Sequence, residues 1–484
     1  MDLLKQESFQ DAIVTVMGLG RYGGGGGLSA TKWLLKHGSQ IVITDLKDAA
    51  ELKESVDGVM EWFNKYREEF PNRTIYQPLF ILGQHRSEDF LSVDCVVQSP
   101  GVQSEVDFVQ QAKDKGVAIE SDVSLFFRYF PFPTIAVTGT RGKTTTTRLL
   151  GAMLKKMDES AVMAGNIVMS PLEVLDDLVV KKTPTPVVIE LSSWILESLP
   201  QAFADLQKGP DIAVITNVFP DHLSRYKDFD AYIASKEIMI ARQTPAQFTV
   251  LNYDNEPLRK LAEKVTGKLF WCSGTPQEHD GCYVKEGKIV FRQDGIETVI
   301  LPVVELGLKS PENLENVLTA ACAAMLRGVK VVDVAATLRE FVGASEPQEL
   351  VREVDEITFI NDTVAITPNA TIETLKKFGV HGDVVLIAGG EDQSVDYKEL
   401  VEVIAKSCKH VILLPGTASD SFETMLQGKV ETERALEMAD AVAKARAVAV
   451  RGTVVLLSPA APGAPLFANE FVRGEQFRDA VRTL

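Results

Sequence analysis

The stretch Thr138-Gly139-Thr140-Arg141-Gly142-Lys143-Thr144 follows the β-branched run Thr134-Ile135-Ala136-Val137 and precedes the helical pattern Thr145 to Lys155. An apolar strand that breaks into a glycine-lysine turn and re-emerges as a helix is a phosphate cradle. Glycines let backbone N–H groups wrap phosphate, and the helix N-terminus adds positive potential. A lysine here reaches the outer phosphates, and a threonine hydroxyl can ligate Mg²⁺. The long Walker form needs glycine where Val137 stands, so this is a shortened version. The residues expected to bind ATP are Gly139, Thr140, Arg141, Gly142, Lys143, Thr144 and Thr145.

Working outward, strands alternate with helices on both sides of this loop. Toward the N-terminus, Ala12 to Met17 reads as a strand, Leu28 to His37 as a helix and Gln40 to Thr44 as a second strand ending at Asp45. This is a βαβ unit with Gly18-Leu19-Gly20-Arg21-Tyr22-Gly23 at its turn. Asp45 is positioned to accept from a ribose or uracil group. The run Gly23 to Gly27 exceeds what a nucleotide turn needs. Asp94 to Gly101 is another strand running into a turn, and the Phe- and Pro-rich stretch Phe126 to Pro133 reads as a linker. Beyond the loop, strands are expected at Val187 to Glu190, Ile212 to Thr216, Ile357 to Ile360, Asp383 to Ile387, His410 to Leu414 and Thr453 to Leu457. Helices are expected around Glu312 to Arg327 and between the later strands. The fold class is therefore α/β, with a mostly parallel sheet in each of three domains: 1–130, 131–343 and 344–484.

Bulk composition bounds the chemistry. The 484 residues exceed one core at roughly 150 residues per domain. A net charge of −17 speaks against a nucleic-acid partner, which requires a basic face. No basic leader or membrane-length apolar run is visible, so the expectation is a cytoplasmic protein with no membrane association, a monomer. The five cysteines (Cys95, Cys272, Cys282, Cys322, Cys408) show no metal spacing and are expected to be buried, reduced thiols.

Two further positions lie at strand ends of the central segment, where ligands of parallel sheets bind. Glu190 closes Val187-Val188-Ile189, and Asp221-His222 follows Ile215-Thr216-Asn217-Val218-Phe219-Pro220. Glu190 and His222, with Thr144, are candidate Mg²⁺ ligands beside the phosphates. From composition alone Lys236 is an exposed helical lysine.

Taken together, Gly18-Leu19-Gly20, Thr44-Asp45, Ser99-Pro100-Gly101, the 138–146 loop, Gly165-Asn166, Glu190-Leu191-Ser192-Ser193 and Asp221-His222-Leu223-Ser224-Arg225-Tyr226 resemble the Mur ligase family over nearly the whole chain. Asn361-Asp362, Gly389-Gly390, Leu457-Ser458-Pro459-Ala460 and Arg473-Gly474 continue the likeness. The resemblance implies a UDP-binding N-terminal domain, a central ATPase domain and a C-terminal Rossmann-like domain that receives an amino acid. It implies ATP-dependent amide formation in cell-wall precursor synthesis, through an acyl phosphate on a UDP-linked sugar-peptide. It also implies that Lys143, His222 and a carbamylated Lys236 are catalytic and that Asp362 accepts from the ATP ribose. Gly20, Thr44, Asp45, Ser99, Gly101, Asn166 and Ser192 would then contact the UDP substrate. The C-terminal positions depart from the family. Val364, Ile366, Gln393 and Gly463 stand where acceptor-holding residues, one or more of them cationic, are expected, and Arg352, Lys376 and Arg473 are the candidate replacements.

Overall fold

Each β-branched run seeds a sheet. In this computed structural model the described residues are 9–20, 25–99, 102, 107–166, 169–221, 225–308, 313–341, 348–379, 382–392, 395–463, 466–467 and 470–484. Two compact units divide the chain, Met1–Val342 and Gly343–Leu484.

The first unit holds two sheets. Strands β1 (Ile13–Met17), β2 (Gln40–Asp45), β3 (Leu79–Leu82), β4 (Cys95–Gln98) and β5 (Ala118–Glu120) form a parallel sheet in the order β3-β2-β1-β4-β5. The larger sheet uses β6 (Thr134–Thr138), β7 (Val162–Gly165), β8 (Val187–Glu190), β9 (Ile212–Ile215), β10 (Phe248–Asn252), β11 (Lys268–Ser273), β12 (Gly281–Lys285), β13 (Lys288–Gln293) and β14 (Ile296–Pro302). Its order is β14-β13-β12-β11-β10-β9-β6-β8-β7, parallel up to β12 and antiparallel through the last two pairings. Strand β6 lies between β8 and β9, so the chain leaves its carboxyl end at a switch point. That is where an open α/β sheet forms its ligand crevice.

One hydrophobic cluster spans both sheets of this unit, and two others pack on the remaining residues of each. Val14, Val16, Leu34 and Phe63 from the first sheet and its helices join Ala136, Ile189, Leu172 and Phe203 from the second. The helices Gly26–Lys36 and Leu172–Lys181 are tied by Ser29 Oγ donating to Glu173 (2.7 Å) and by Trp33 Nε1 and Lys36 Nζ donating to Asp176 (2.9 and 2.8 Å). The stretch read as a linker is corrected here. Phe126 to Tyr129 close the helix Asp122–Tyr129, and Phe126, Phe127 and Phe130 are buried in the shared core. The prolines end the helix, but the phenylalanines bury too much apolar surface to leave the segment open.

The second unit carries β15 (Glu349–Val354), β16 (Ile357–Asn361), β17 (Val384–Ala388), β18 (Cys408–Leu413), β19 (Glu431–Arg434) and β20 (Val454–Leu457), in the order β15-β16-β20-β17-β18-β19. Only the β15–β16 pair is antiparallel. Two apolar clusters cover its two faces. The α/β architecture with three mostly parallel sheets agrees with the sequence reading. All five cysteines are free and buried. Among the described residues no helix is long and apolar enough to cross a membrane.

Candidate active site

The phosphate loop hangs from the carboxyl end of β6. Gly142 adopts φ +77° and starts the helix Lys143–Met157 without any side-chain cap. A β-carbon at Gly142 would lie 1.9 Å from Asn316 Oδ1, so both conformation and space demand glycine. The uncapped first turn leaves the N–H groups of Lys143, Thr144 and Thr145 without intrahelical partners, as an anion site requires. The preceding half of the loop is pinned to the end of β9. Thr140 N donates to Asn217 O (2.9 Å), Arg141 N to Asn217 Oδ1 (2.9 Å), and Thr216 Oγ1 to Arg141 O (2.7 Å).

Two lysines converge on this loop. Lys143 Nζ donates to Gly139 O (3.0 Å) and Thr140 O (2.9 Å), and Lys236 Nζ donates to the same Gly139 O (3.0 Å). The exposed position expected for Lys236 from composition is overturned, because the residue is only 1% exposed. The helix Phe229–Glu237 turns it under the loop, with its ammonium 4.7 Å from the Tyr232 ring. Burial, reinforced by the charge of Lys143, pulls the Lys236 amine down to about 7. Burial also lowers Lys143, opposed by the charges of Glu190 and Asp221.

Glu190, at the end of β8, is fully buried. Its Oε1 accepts from Asn166 Nδ2 at 3.2 Å, whereas Oε2 takes no hydrogen bond of normal geometry. Burial raises its carboxyl, opposed first by Lys143 and then by Asn166 and Thr144. A buried carboxylate oxygen without a partner, facing a lysine and a threonine hydroxyl, suits a hard cation bound partly through phosphates and water. Among the described residues there is no cluster of three or more acidic, histidine or cysteine ligands. Mg²⁺ does not require one, since it commonly keeps several waters. His222 lies outside the described residues.

The first glycine turn gathers the other predicted positions. Asp45 accepts from Leu19 N and Lys47 N, both at 3.0 Å, which locks the turn between β1 and β2. Ser99 Oγ donates to Gly18 O, and Ser55 Oγ to Gly20 O (2.8 Å). Thr44 Oγ1 lies 2.7 Å from His85 Nδ1. Gly101 lies outside the described residues. The glycine run acquires a reason at its end. A β-carbon on Gly26 would meet the Asp122 carboxylate at 2.8 Å, and one on Gly27 would meet Gly18 O at 2.1 Å. Ser192 caps the short helix that follows Glu190, accepting from Ile195 N at 3.3 Å.

In the second unit, Asp362 is buried at the end of β16. It accepts from Thr374 Oγ1 (2.6 Å), Ser458 Oγ (2.8 Å) and Gln348 N (3.2 Å). None of the three candidate replacement cations is uncommitted. Arg473 is 0% exposed and donates to Thr363 Oγ1, Thr363 O and Ala461 O at 2.7 to 3.0 Å. Lys376 pairs with Glu373, and Arg352 donates to Arg482 O. A cavity of about 290 Å³ opens beside the ends of β17 and β20, bounded by Ile366, Pro368, Asn369, Asp396, Tyr397 and Pro462 among others, with no cationic side chain among the described residues that line it. Gln393 lies outside the described residues.

Sequence reasoning passed over Asn217, Glu315, Asn316 and His85. Glu315 and Asn316 fall in the helical run read from Glu312 to Arg327, but the site partners of all four lie 41 to 170 residues away, beyond any local pattern.

Comparison with known proteins places the chain in a family. The family model for the Mur ligase middle domain matches residues 137–324, and that for the Mur ligase glutamate ligase domain matches 348–461. The UDP-N-acetylmuramoylalanine–D-glutamate ligase of Roseiflexus sp. (strain RS-1) is 36% identical, covering 97% of this chain and 98% of that protein. The enzyme of the same name from Acidobacterium capsulatum is 33% identical, covering 97% and 95%. Among solved structures, the UDP-N-acetylmuramate-alanine ligase of Thermotoga maritima aligns over 98% of this chain and 99% of that one, at 17% identity and a TM-score of 0.48. With a phosphate loop, a buried glutamate and a buried lysine gathered at one sheet edge and full-length likeness at this identity, the chain belongs to the Mur ligase family, whose members are ATP-dependent ligases.

Proposed function

We propose that this protein uses ATP to activate the terminal carboxylate of a UDP-linked sugar-peptide and joins it to the amine of an amino acid. By analogy with the relatives, the pair is UDP-N-acetylmuramoyl-L-alanine and D-glutamate. The observation that carries this is the grouping of Lys143, Lys236 and Glu190 around one phosphate loop.

The chemistry follows from charge. A carboxylate is a poor electrophile, so its oxygen takes the γ-phosphoryl group and ADP leaves. The acceptor amine then attacks the acyl carbon, phosphate departs, and the amine loses a proton. Two anions must first be brought together. Lys143 releases its hold on Gly139 O and Thr140 O and turns toward the outer phosphates, while the first-turn N–H groups hold them. Glu190 Oε2 and Thr144 are the groups suited to hold Mg²⁺, which would supply charge to neutralise the repulsion between two anions. Lys236 is suited to carbamylation. With an amine near 7 it is substantially neutral at physiological pH, so its nitrogen can add to the carbon of CO₂ and lose a proton, giving an anionic carbamate beside the loop. Asn166, which orients Glu190, together with the Asp45, Thr44 and Ser99 turn, supports seating of the UDP substrate in the first unit.

A second reading changes the acceptor alone. Among the described residues no cationic side chain lines the cavity beside Ile366, and Arg473 spends a donor from each of its three nitrogens on Thr363 and Ala461, so an amino acid without a second carboxylate fits its chemistry. One experiment tests both readings: incubation with ATP, Mg²⁺, UDP-N-acetylmuramoyl-L-alanine and a panel of amino acids, reading phosphate release and product mass. Release with D-glutamate alone supports the first reading, and release with another amino acid alone supports the second. No release with any acceptor would overturn the ligase assignment.

A further inference from the structure

Asn217 touches the phosphate loop in three places. Its backbone carbonyl accepts from Thr140 N, its Oδ1 accepts from Arg141 N, and its Nδ2 donates to Arg141 O at 3.2 Å. An amide does this in only one orientation. Flipped, it would present its NH₂ to the Arg141 N–H and its oxygen to the Arg141 carbonyl, a mismatch at both ends. Arg141 thus favours one flip, and a partner outside the loop can hold the amide in that flip whatever the loop does.

Glu315 lies where that is done. It sits in the first turn of the helix Leu314–Arg327, half-buried, and its Oε1 accepts from the second hydrogen of Asn217 Nδ2 at 2.9 Å. A carboxylate accepts and cannot donate, so only the NH₂ end of Asn217 can face it. The carboxylate is held in turn, since Oε2 accepts from Asn252 Nδ2 at 2.7 Å at the end of β10. The relay thus runs from β10 through the helix and the end of β9 to the loop. Nothing in the proposed chemistry uses Glu315, and it bonds to no loop residue itself.

We infer that Glu315 is a positioning residue for the nucleotide, fixing the amide orientation of Asn217 and thereby the shape of the Thr140–Arg141 half of the phosphate loop. The inference rests on the proposed ATP-dependent ligation. A loop whose shape is set before ATP arrives binds the nucleotide in ground and transition states alike. Loss of Glu315 therefore shows in the KM for ATP while kcat is retained.

The test uses the full chain and steady-state phosphate release with ATP varied, the other substrates being those that the wild-type protein turns over. Glu315→Ala is expected to raise the KM for ATP about tenfold, the usual order for losing a hydrogen bond to a charged group, with kcat within about twofold. Glu315→Gln keeps an oxygen for Asn217 and loses only the Asn252 contact, so it is expected to recover most of the loss. The decisive variant is Glu315→Ala/Asn217→Ala. Because Glu315 acts through Asn217, the double variant should be no worse than Asn217→Ala alone. Unchanged KM for ATP in Glu315→Ala, or effects of the two substitutions that multiply, would overturn the inference while wild-type turnover leaves the proposed function standing. Absence of ATP turnover in the wild type would remove both. Should Glu315→Ala fail to fold, Glu315→Gln and its double with Asn217→Ala carry the same comparison, with a smaller shift expected.

Discussion

The carboxyl edges of the central sheet and of the sheet in the second unit look alike in topology and differ in how their polar atoms are committed. At the central edge, Glu190 Oε2 is buried without a normal hydrogen bond, and Lys143 and Lys236 donate to backbone carbonyls of the loop. In the second unit, Asp362 is fed by two hydroxyls and a backbone N–H, and Arg473 donates from each of its three nitrogens to main chain and hydroxyl at residues 363 and 461. Buried polar groups are normally satisfied, and a group that is not calls for an explanation. The difference is the one expected if the first edge holds the ligands of the proposed function and if Asp362 and Arg473 also brace the second.

The comparison breaks most visibly at Lys143. Lys143→Ala is expected to lower phosphate release about a thousandfold, the scale of losing a preorganised charge at a transferring phosphoryl group. Thermal unfolding should stay near wild type, because the hydrogen bonds of the lysine go to carbonyls of its own loop and the buried Glu190 it faces can take up a proton once that charge is gone. Turnover within tenfold of wild type would show that the loop is not the phosphate site.

Arg473→Ala should do the converse. It leaves Thr363 O and Ala461 O buried without their donor, and is expected to destabilise the second unit by about 3 kcal/mol in urea unfolding. Nucleotide binding by the first unit should be unaffected. Wild-type stability combined with lost turnover would move Arg473 from scaffold to site and dissolve the contrast.

Lys236 sharpens the first half of the comparison. Lys236→Ala is expected to slow turnover about thirtyfold, with partial recovery on adding formate or acetate in place of the missing carbamate. The pH dependence has a definite sign. An amine lowered to about 7 is protonated below that pH and cannot add to CO₂, so turnover at low bicarbonate should fall as pH drops through about 7. A profile flat from pH 6 to 8, or full activity without CO₂, counts against the carbamate.

How far the sequence disclosed this follows from the range of the contacts. The loop was legible because strand, glycines, lysine and helix are contiguous, and β1, β2, β16, β17, β18 and β20 because each is a short β-branched run. Glu190 was legible as the residue closing such a run. Lys236 was not, because the helix Phe229–Glu237 shows no apolar face that would bury it. Its burial comes from the loop above it, and only the family likeness pointed to it. The glycine run looked like slack because its reasons, the Asp122 carboxylate and the Gly18 carbonyl, lie elsewhere in the chain. Glu315 meets Asn217 across 98 residues, a distance that no local pattern spans. The prolines after Phe126 suggested a linker, and the phenylalanines, read as core, would have argued against one.

The smallest effect tests the second half of the comparison most finely. Thr374→Val removes one hydroxyl donor from Asp362 while preserving shape, and should cost about 1 kcal/mol of stability near neutral pH. Burial raises the Asp362 carboxyl above its ordinary value, and Thr374 is the first of the groups that hold it back down. Without that hydroxyl the folded-state pKa rises further and the unfolded one does not. The folded state then binds more protons than the unfolded state over a wider window, so stability falls with rising pH across it. The penalty should therefore be largest above that window and shrink in acid, where a protonated Asp362 no longer depends on the lost donor. Urea unfolding of wild type and variant at pH 7 and pH 4.5 reads this directly. A penalty independent of pH would mean that Thr374 packs against Asp362 without stabilising its charge.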